Sequence, residues 1–346
     1  MKTLSVTHYI RYGYNRRFFL TAASAFAAST LFASCGHTDS QSNGEQLPKT
    51  VRIAWLKGNI GFFVLKTKGE LDKRFNDLGV SIEWSEFPTI PVQLEAFNAG
   101  SLDFGPGVDA SLVFAQASDV PFVYVTAEPP RPQSLAFVVH KDSPIQSVKD
   151  FKGKKVGYAT GWNLHYLLVK ALEANGLSPS DIESVKITAA ADGMAAFESR
   201  GLDVLAIWDP FYALMEKTMQ IRTVINGEGY TANRAYTIAT PTFAQEYPNA
   251  IKIILEELEK VSRWADQHPK DVAELLAPQL NIDKDVLEAA SRRRPYGVIP
   301  VDQKITDEQQ NVADTFFKLG LIKKQIQVSE LVAQNPVWLP DNIAKS

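Results

Sequence analysis

Strand patterns alternate with helical patterns over residues 51–208, and this alternation limits the possible folds more than any other feature of the chain. The strand patterns are short, apolar or alternating, and bounded by Gly, Pro or charged residues; they lie at 51–55, 80–86, 122–126, 135–140, 155–159, 185–189 and 204–208. The helical patterns lie at 64–75, 91–99, 109–117, 165–174 and 192–200. The alternation predicts an α/β protein with largely parallel sheets and with ligands at the carboxyl ends of the strands.

Only helical patterns follow residue 241; they lie at 247–267, 269–280, 283–294 and 302–319. Two earlier passages share one form, a loop that leads into an apolar strand, at 132–139 and 233–239. If both passages cross between two lobes, residues 50–132 and 241–346 form the first lobe and residues 133–240 form the second. The sequence therefore predicts two lobes, a two-strand hinge, a ligand cleft and C-terminal helices.

The charge balance and the cysteine count exclude several classes of protein. The 346 residues include 36 Lys and Arg against 39 Asp and Glu, a net charge of -3. Nucleic acid is not expected as a partner, because the chain has no basic surplus to match a phosphate backbone. Cys35 is the only cysteine, so the chain forms no internal disulfide and no multi-cysteine metal site. We expect neither a metal nor a cofactor.

The first 34 residues have the pattern of a cleaved export signal. They carry four basic residues and no acidic one, and the stretch 18–32 contains no charge. That stretch is shorter than the ~20 apolar residues that a membrane span needs. Arg16 and Arg17, followed by Phe18, Phe19 and Leu20, resemble the twin-arginine signal. We expect export by that route to the periplasm.

Cys35 closes the apolar stretch and resembles the lipidated cysteine of bacterial lipoproteins. The resemblance is imperfect, because Phe32 stands three residues before the cysteine where that signal prefers Leu. A buried, unmodified cysteine is the alternative. Lipidation implies an anchor that holds the mature chain at a membrane. Residues 35–49 are then a polar tether, and the folded body begins near Thr50.

Several strings of the body are distinctive, and they lie at 55–61, 86–88, 95–105, 128–132 and 206–212. The two most specific read Glu-Pro-Pro-Arg-Pro (128–132) and Ala-Ile-Trp-Asp-Pro-Phe-Tyr (206–212). Together they resemble the aliphatic-sulfonate-binding proteins of ABC importers, a group that includes taurine- and nitrate-binding relatives. The resemblance covers about residues 50–340. It implies a type II periplasmic-binding fold and delivery of an alkanesulfonate, an organic anion, to a membrane permease and its ATPase.

The chain departs from this group at residues 161–166. Sulfonate binders tend to have serines before a histidine there, and taurine binders have Ser and Thr followed by His-Tyr. This chain has Gly-Trp-Asn-Leu-His-Tyr, which keeps the His-Tyr pair and loses the hydroxyl groups. The change bears on which ligand is bound. A receptor for nitrate or for a heteroaromatic vitamin precursor, ligands also known on this fold, is therefore the alternative.

Residues Gly161, Trp162, Asn163, Leu164 and His165 are the main candidates for ligand binding. The strand pattern 155–159 leads directly into a helical pattern in which Asn163 is a suitable N-cap. Unpaired N–H groups at such a helix start form a site for a sulfonate, phosphate or carboxylate. His165 either donates to the anion or is structural, and Trp162 either covers an alkyl chain or ring or simply packs. A helix start capped only for stability is the alternative.

Further candidates follow other strand patterns and face the same expected cleft. Asp109, after Val108, either caps its own helix or accepts a hydrogen bond from a ligand amine or hydroxyl. Asp209 similarly either faces the ligand or caps the helix that follows. The complete set of these further candidates is Gly58, Asn59, Pro91, Val108, Asp109, Trp208 and Asp209.

The enzyme alternatives find little support. The chain has no Gly-x-Ser-x-Gly elbow, no phosphate-binding loop ending in Gly-Lys-Ser or Gly-Lys-Thr, and no His-Glu-x-x-His pair. A desulfinase is known on a similar two-lobed scaffold and uses a cysteine nucleophile. The expected lobes contain no cysteine, so a desulfinase-like activity is disfavoured and we expect a protein that is not an enzyme.

Overall fold

Two five-stranded sheets, each covered by helices, organise residues 46–344, which are the part of the chain that the computed structural model describes. In chain order the strands are β1 (Thr50–Trp55), β2 (Ser81–Glu86), β3 (Phe104–Val108), β4 (Val123–Ala127), β5 (Leu135–His140), β6 (Lys155–Tyr158), β7 (Glu183–Lys186), β8 (Val204–Trp208), β9 (Ile221–Asn226) and β10 (Ala235–Ala239). The export signal, the Arg16–Arg17 pair and Cys35 lie outside the described residues.

Helices connect the strands and continue after the last one. In chain order they are α1 (Ile60–Lys68), α2 (Glu70–Asp77), α3 (Ile90–Asn98), α4 (Asp109–Ala117), α5 (Asn163–Ala174), α6 (Ala190–Glu198), α7 (Phe211–Thr218), α8 (Pro241–Glu246), α9 (Pro248–Gln267), α10 (Pro269–Leu280), α11 (Lys284–Arg292), α12 (Gln303–Lys318) and α13 (Asp341–Ala344). No helix within residues 46–344 is long and apolar enough to cross a membrane.

The first sheet has the strand order β2-β1-β3-β10-β4, and the second has the order β7-β6-β8-β5-β9. In each sheet a group of parallel strands carries the helical crossovers: β1 pairs with β2 and β3, and β6 pairs with β7 and β8. The strands β5 and β10 run antiparallel to their neighbours. The expected α/β architecture with two lobes is confirmed.

Apolar faces at helical spacing hold the C-terminal helices against the first sheet. On α9, Ile251, Ile254, Leu255 and Leu258 are buried in one cluster that also contains Phe62 of α1. Their spacing of three and four residues places them on one side of the helix. Phe316 of α12 is buried with residues of α4 in a second cluster. The helices α9 and α12 thus pack against elements of the first sheet and its connecting helices.

The strand β10 corrects the expected division of the chain. Residues 133–240 were expected to form the second lobe, but β10 is hydrogen-bonded to β3 and β4 of the first sheet. The second crossing therefore ends before Ala235. Two segments, 128–134 and 227–234, connect the sheets and run side by side: the Arg131 N–H donates to the Ala232 carbonyl at 2.9 Å, and the Gly227 N–H donates to the Pro132 carbonyl at 3.0 Å.

Candidate functional site

Asn233 joins both crossings to the start of α5. Its amide nitrogen donates to the Arg131 carbonyl at 3.2 Å and to the Ser134 hydroxyl at 2.9 Å. Its amide oxygen accepts from Asn163 Nδ2 at 2.6 Å. Asn233 is buried and has a φ of 48°, a left-handed conformation that asparagine tolerates better than most residues. One side chain thus links the two crossing segments, 128–134 and 227–234, to the first turn of α5.

The start of α5 offers unpaired backbone donors. The N-cap is Trp162, whose side chain makes no capping hydrogen bond, so the expected capping by Asn163 is wrong: that side chain bonds to Asn233 instead. The Trp162 carbonyl accepts from the N–H groups of His165 and Tyr166. Within the described residues, the N–H groups of Asn163 and Leu164 have no acceptor. These two donors carry the positive end of the helix dipole.

Gly161 and His165 shape the loop before this helix. The Gly161 N–H donates to His165 Nδ1 at 3.1 Å. Gly161 has a φ of 79°, and a Cβ there would lie 3.1 Å from Cζ of Phe114 on α4. Burial lowers the pKa of His165 to about 4, so the imidazole is neutral and Nε2 carries its proton. His165 thus has a local structural role, which was one of its two expected roles.

Aromatic side chains form an apolar wall beside the unpaired donors. The Trp162 ring is 46% exposed, and its centroid lies 5.4 Å from that of Trp208. The Trp208 ring in turn meets Phe211 edge-on, with centroids 5.7 Å apart. An exposed tryptophan supported by two further rings presents a rigid apolar face to a ligand.

Asp109 lies beside the end of the second crossing, where its N–H donates to the Arg234 carbonyl at 3.3 Å. It is the first residue of α4, whose N-cap is Val108, so Asp109 does not cap that helix. Its carboxylate accepts from the Ala110 N–H at 2.7 Å, and burial raises its pKa to about 6. Asp109 lines a cavity of about 370 Å³ together with Tyr166, Asn233 and Arg234. The cavity thus touches one of the expected ligand residues and the hinge residue Asn233.

Asp209, which follows β8, belongs to a contact between α7 and the end of α11. Its Oδ1 accepts from the Ala213 N–H and from Arg293 Nη1, both at 3.2 Å. Arg293 also pairs with Glu216 and lies 4.2 Å from the centroid of the Tyr212 ring. Burial raises the pKa of Asp209 to about 7, and its Oδ2 has no hydrogen-bond partner in the described part of the chain.

Three expected site residues serve helix starts in the first lobe. Asn59 caps α1 by accepting from the Phe62 N–H at 3.1 Å, Pro91 lies in the first turn of α3, and Gly58 is in the turn before Asn59. Between residues 46 and 344, no hydrogen bond or ring contact connects these three with the start of α5. Their expected role in ligand binding stays a prediction.

Two residues at the centre of the site were not predicted from the sequence, Asn233 and Arg131. The signals were present: Arg131 lies in the Glu128–Pro132 string, and Asn233 opens the strand passage at 233–239. Within the described residues, no group of three or more His, Cys, Asp or Glu side chains is placed to hold a metal ion.

Two sheets joined by paired crossings, with unpaired donors and an aromatic wall beside the hinge, define a two-lobed binding protein. The model of the NMT1/THI5-like family matches residues 70–272. The chain belongs to this family.

Similar proteins confirm the resemblance to the aliphatic-sulfonate-binding group. A putative aliphatic sulfonates-binding protein of Escherichia coli is 32% identical over 84% of this chain and 90% of its own length. The crystal structure of the E. coli periplasmic aliphatic sulphonate-binding protein SsuA superposes with a TM-score of 0.81, covering 85% of this chain and 94% of that one at 32% identity. The alkanesulfonate-binding SsuA of Xanthomonas axonopodis pv. citri, bound to MOPS, superposes with a TM-score of 0.72, covering 83% and 98% at 29% identity.

An enzyme is also found among the structural neighbours. The desulfurization enzyme DszB superposes with a TM-score of 0.62 at 14% identity, covering 84% of this chain and 97% of that one. At this identity the likeness concerns the fold alone. The relatives of higher identity named above are binding proteins.

Proposed function

We propose that the protein is an extracytoplasmic receptor that delivers an organic sulfonate, an alkanesulfonate, to an ABC importer. The observation that carries the proposal is the start of α5, where two N–H groups without an acceptor lie beside an exposed tryptophan. The sequence identity of 32% with the putative aliphatic sulfonates-binding protein of E. coli extends over 84% of this chain. The permease and ATPase of that importer are the expected partners.

The unpaired N–H groups suit the charged head group of a sulfonate, and the exposed tryptophan suits its apolar tail. The N–H groups of Asn163 and Leu164 donate to the head group, and each hydrogen bond to a charged group contributes roughly 1.5 to 3 kcal/mol. The Trp162 face covers the apolar tail. Micromolar affinity needs about 8 kcal/mol, which a few such hydrogen bonds and an apolar contact supply after the cost of association.

Native mass spectrometry of the protein purified from its own cells tests this function. The expected spectrum shows a bound species that dissociates as an organic sulfonate anion. A bound neutral heterocycle would instead favour the second candidate, a receptor for a heteroaromatic vitamin precursor, which the Trp162–Trp208 pair could also hold. A nitrate receptor would carry no organic species.

Trp162→Ala should reduce the preference for long sulfonate tails. The substitution removes apolar area beside the donors, and each buried CH₂ contributes about 0.8 kcal/mol. In wild-type protein, calorimetry should show tighter binding of hexanesulfonate than of ethanesulfonate, and the variant should lose most of that difference. Trp264→Ala is the matched control, because Trp264 lies on α9 under Lys68, away from the site. Equal selectivity in the Trp162 variant would contradict the tail contact.

The lobe division proposed here, with crossings at 128–134 and 227–234, predicts closure of the cleft around a ligand. Small-angle scattering should show a smaller radius of gyration at saturating alkanesulfonate than without it. An unchanged radius would count against a closing cleft.

The proposed location is the periplasm, with export by the twin-arginine route and a lipid anchor on Cys35. Cys35→Ser should release the mature protein into the soluble periplasmic fraction, because the modified side chain is lost. Replacing Arg16 and Arg17 with Lys should block export. Cell fractionation followed by a carbonate wash checks both results, and a Cys35→Ser protein that stays with the membrane would rule out lipidation as the anchor.

A further inference from the structure

A pair of arginines at the first crossing shares one carboxylate. Arg294 Nη2 donates to Glu128 Oε2 at 2.7 Å, and Arg131 Nη1 lies 3.5 Å from the same oxygen. The two arginine side chains are only 11% and 13% exposed. Two largely buried cations thus share the carboxylate of Glu128.

Most donors of these two guanidinium groups are unused. A guanidinium carries five N–H groups. Within the described part of the chain, Arg131 donates one hydrogen bond from its side chain, from Nε to the Asn233 carbonyl at 3.2 Å. Arg294 donates only to Glu128, and its Nε is buried without an acceptor among residues 46–344. Buried polar groups are normally hydrogen-bonded, so the arginine pair has donors available for an added acceptor.

The surroundings of Arg131 disfavour its charged form. Burial, and then the neighbouring charge of Arg294, lowers the pKa of Arg131 to about 10. Glu128 and Asp109 act in the opposite direction, and Asp109, whose pKa is raised to about 6 by burial, is still largely ionised at neutral pH. Tyr296 is another titratable neighbour of Arg131. A monoanion bound beside Arg131 would offset the burial and the repulsion from Arg294.

Arg131 lies next to the donors of α5. Its Nε bonds to the carbonyl of Asn233, and the side chain of the same Asn233 bonds to Asn163, the first residue of α5. A single residue therefore separates the guanidinium from the helix start that offers its N–H groups. The guanidinium and the helix start are thus both held by Asn233.

We propose that Arg131, with Arg294 behind it, binds the oxygens of the sulfonate head and so takes over the role of hydroxyl side chains at residues 161–164. This inference rests on the proposed function and adds the residue that discriminates an anion from a neutral ligand. A planar guanidinium matches two oxygens of one head group at once.

Calorimetry with 1-butanesulfonate and with the uncharged 1-butanesulfonamide tests the assignment. Arg131→Gln should weaken sulfonate binding about 100-fold, since it removes at least two charge-assisted hydrogen bonds. The preference for the sulfonate over the sulfonamide should fall by the same factor, which a merely structural role would not produce. Arg131→Lys keeps a charge but loses the planar fork, and we expect binding about tenfold weaker than wild type. Arg74→Gln, which removes an arginine paired with Glu256 and Glu257 far from the hinge, is the control.

Thermal unfolding of each variant shows whether it is folded. If Arg131→Gln is not folded, the binding measurements on Arg131→Lys decide the assignment. Sulfonate affinity and preference within threefold of wild type in a folded Arg131 variant would overturn the assignment while leaving the proposed function intact. Failure of wild-type protein to bind any sulfonate would overturn the proposed function, and this inference with it.

Discussion

Asn233→Ala is expected to lower the free energy of unfolding by about 3 kcal/mol. The substitution leaves the Ser134 hydroxyl and the Asn163 amide without the partner that they have in the folded protein. An unsatisfied buried group costs about 1 to 3 kcal/mol, and alanine is strained by about 1 kcal/mol more at a φ of 48°. Because Asn233 also orients the start of α5, the same variant should bind sulfonate at least tenfold more weakly.

Urea unfolding followed by circular dichroism measures this effect. Asn281→Ala is the matched control, because Asn281 has a similar φ of 53° but is exposed and lies at the end of α10. Asn281→Ala should lower the free energy of unfolding only by the backbone strain of alanine at this φ, about 1 kcal/mol. Equal losses in the two variants would show that the hydrogen bonds of Asn233 add nothing beyond its backbone conformation.

Asp209→Asn should stabilise the protein more at pH 8 than at pH 5, by about 2 kcal/mol. Burial raises the folded-state pKa of Asp209 to about 7 from an ordinary value of 3.8. Between pH 4 and pH 7 the folded state therefore keeps a proton that the unfolded state has lost, so this group lowers stability as the pH rises through that window. Asparagine does not titrate, and the penalty disappears with the substitution.

Comparison of variant with wild type at each pH isolates Asp209, because His165 and Asp109 titrate equally in both proteins. The control is Asp283→Asn on the same α7–α11 contact. Interactions with the Asp285 N–H and with Lys217 lower the pKa of Asp283, so it stays ionised at both pH values and its substitution should have the same effect at pH 5 and pH 8. A pH-independent effect of Asp209→Asn would contradict the raised pKa.

The alternation of strands and helices predicted most elements of both sheets, and the exceptions have physical causes. The central strand β3 reads Phe-Gly-Pro-Gly-Val, which is typical of a turn. In the structure Gly105 and Gly107 allow close packing, since a Cβ on them would lie 2.9 Å from Ala54 and 2.7 Å from Leu112. The edge strand β9 is half-buried along its whole length, so it has no clear alternation.

The predicted helix boundaries were wrong where a single residue takes a backbone conformation that ends a helix. One helix was expected over 64–75, but Gly69, with a φ of 68°, ends α1 and begins α2. Propensity alone did not show this break, because the apolar residues on either side keep a helical spacing.

The site was predicted in part. The start of α5 follows from local patterns, since a strand leads directly into an apolar helical face. Arg131 and Asn233 lie 102 residues apart in the chain, and their contact arises only when the two crossings run side by side. No local pattern encodes such a contact. The Arg293–Asp209 pair, formed across 84 residues, was missed for the same reason.

Titration calorimetry of the mature protein tests the central claim most directly. An alkanesulfonate should bind more tightly than taurine, nitrate or sulfate, because the arginine pair and the helix start suit a monoanionic head and the Trp162 wall suits an apolar tail. Tight binding of nitrate, or heat with a neutral heterocycle and none with any sulfonate, would contradict the account.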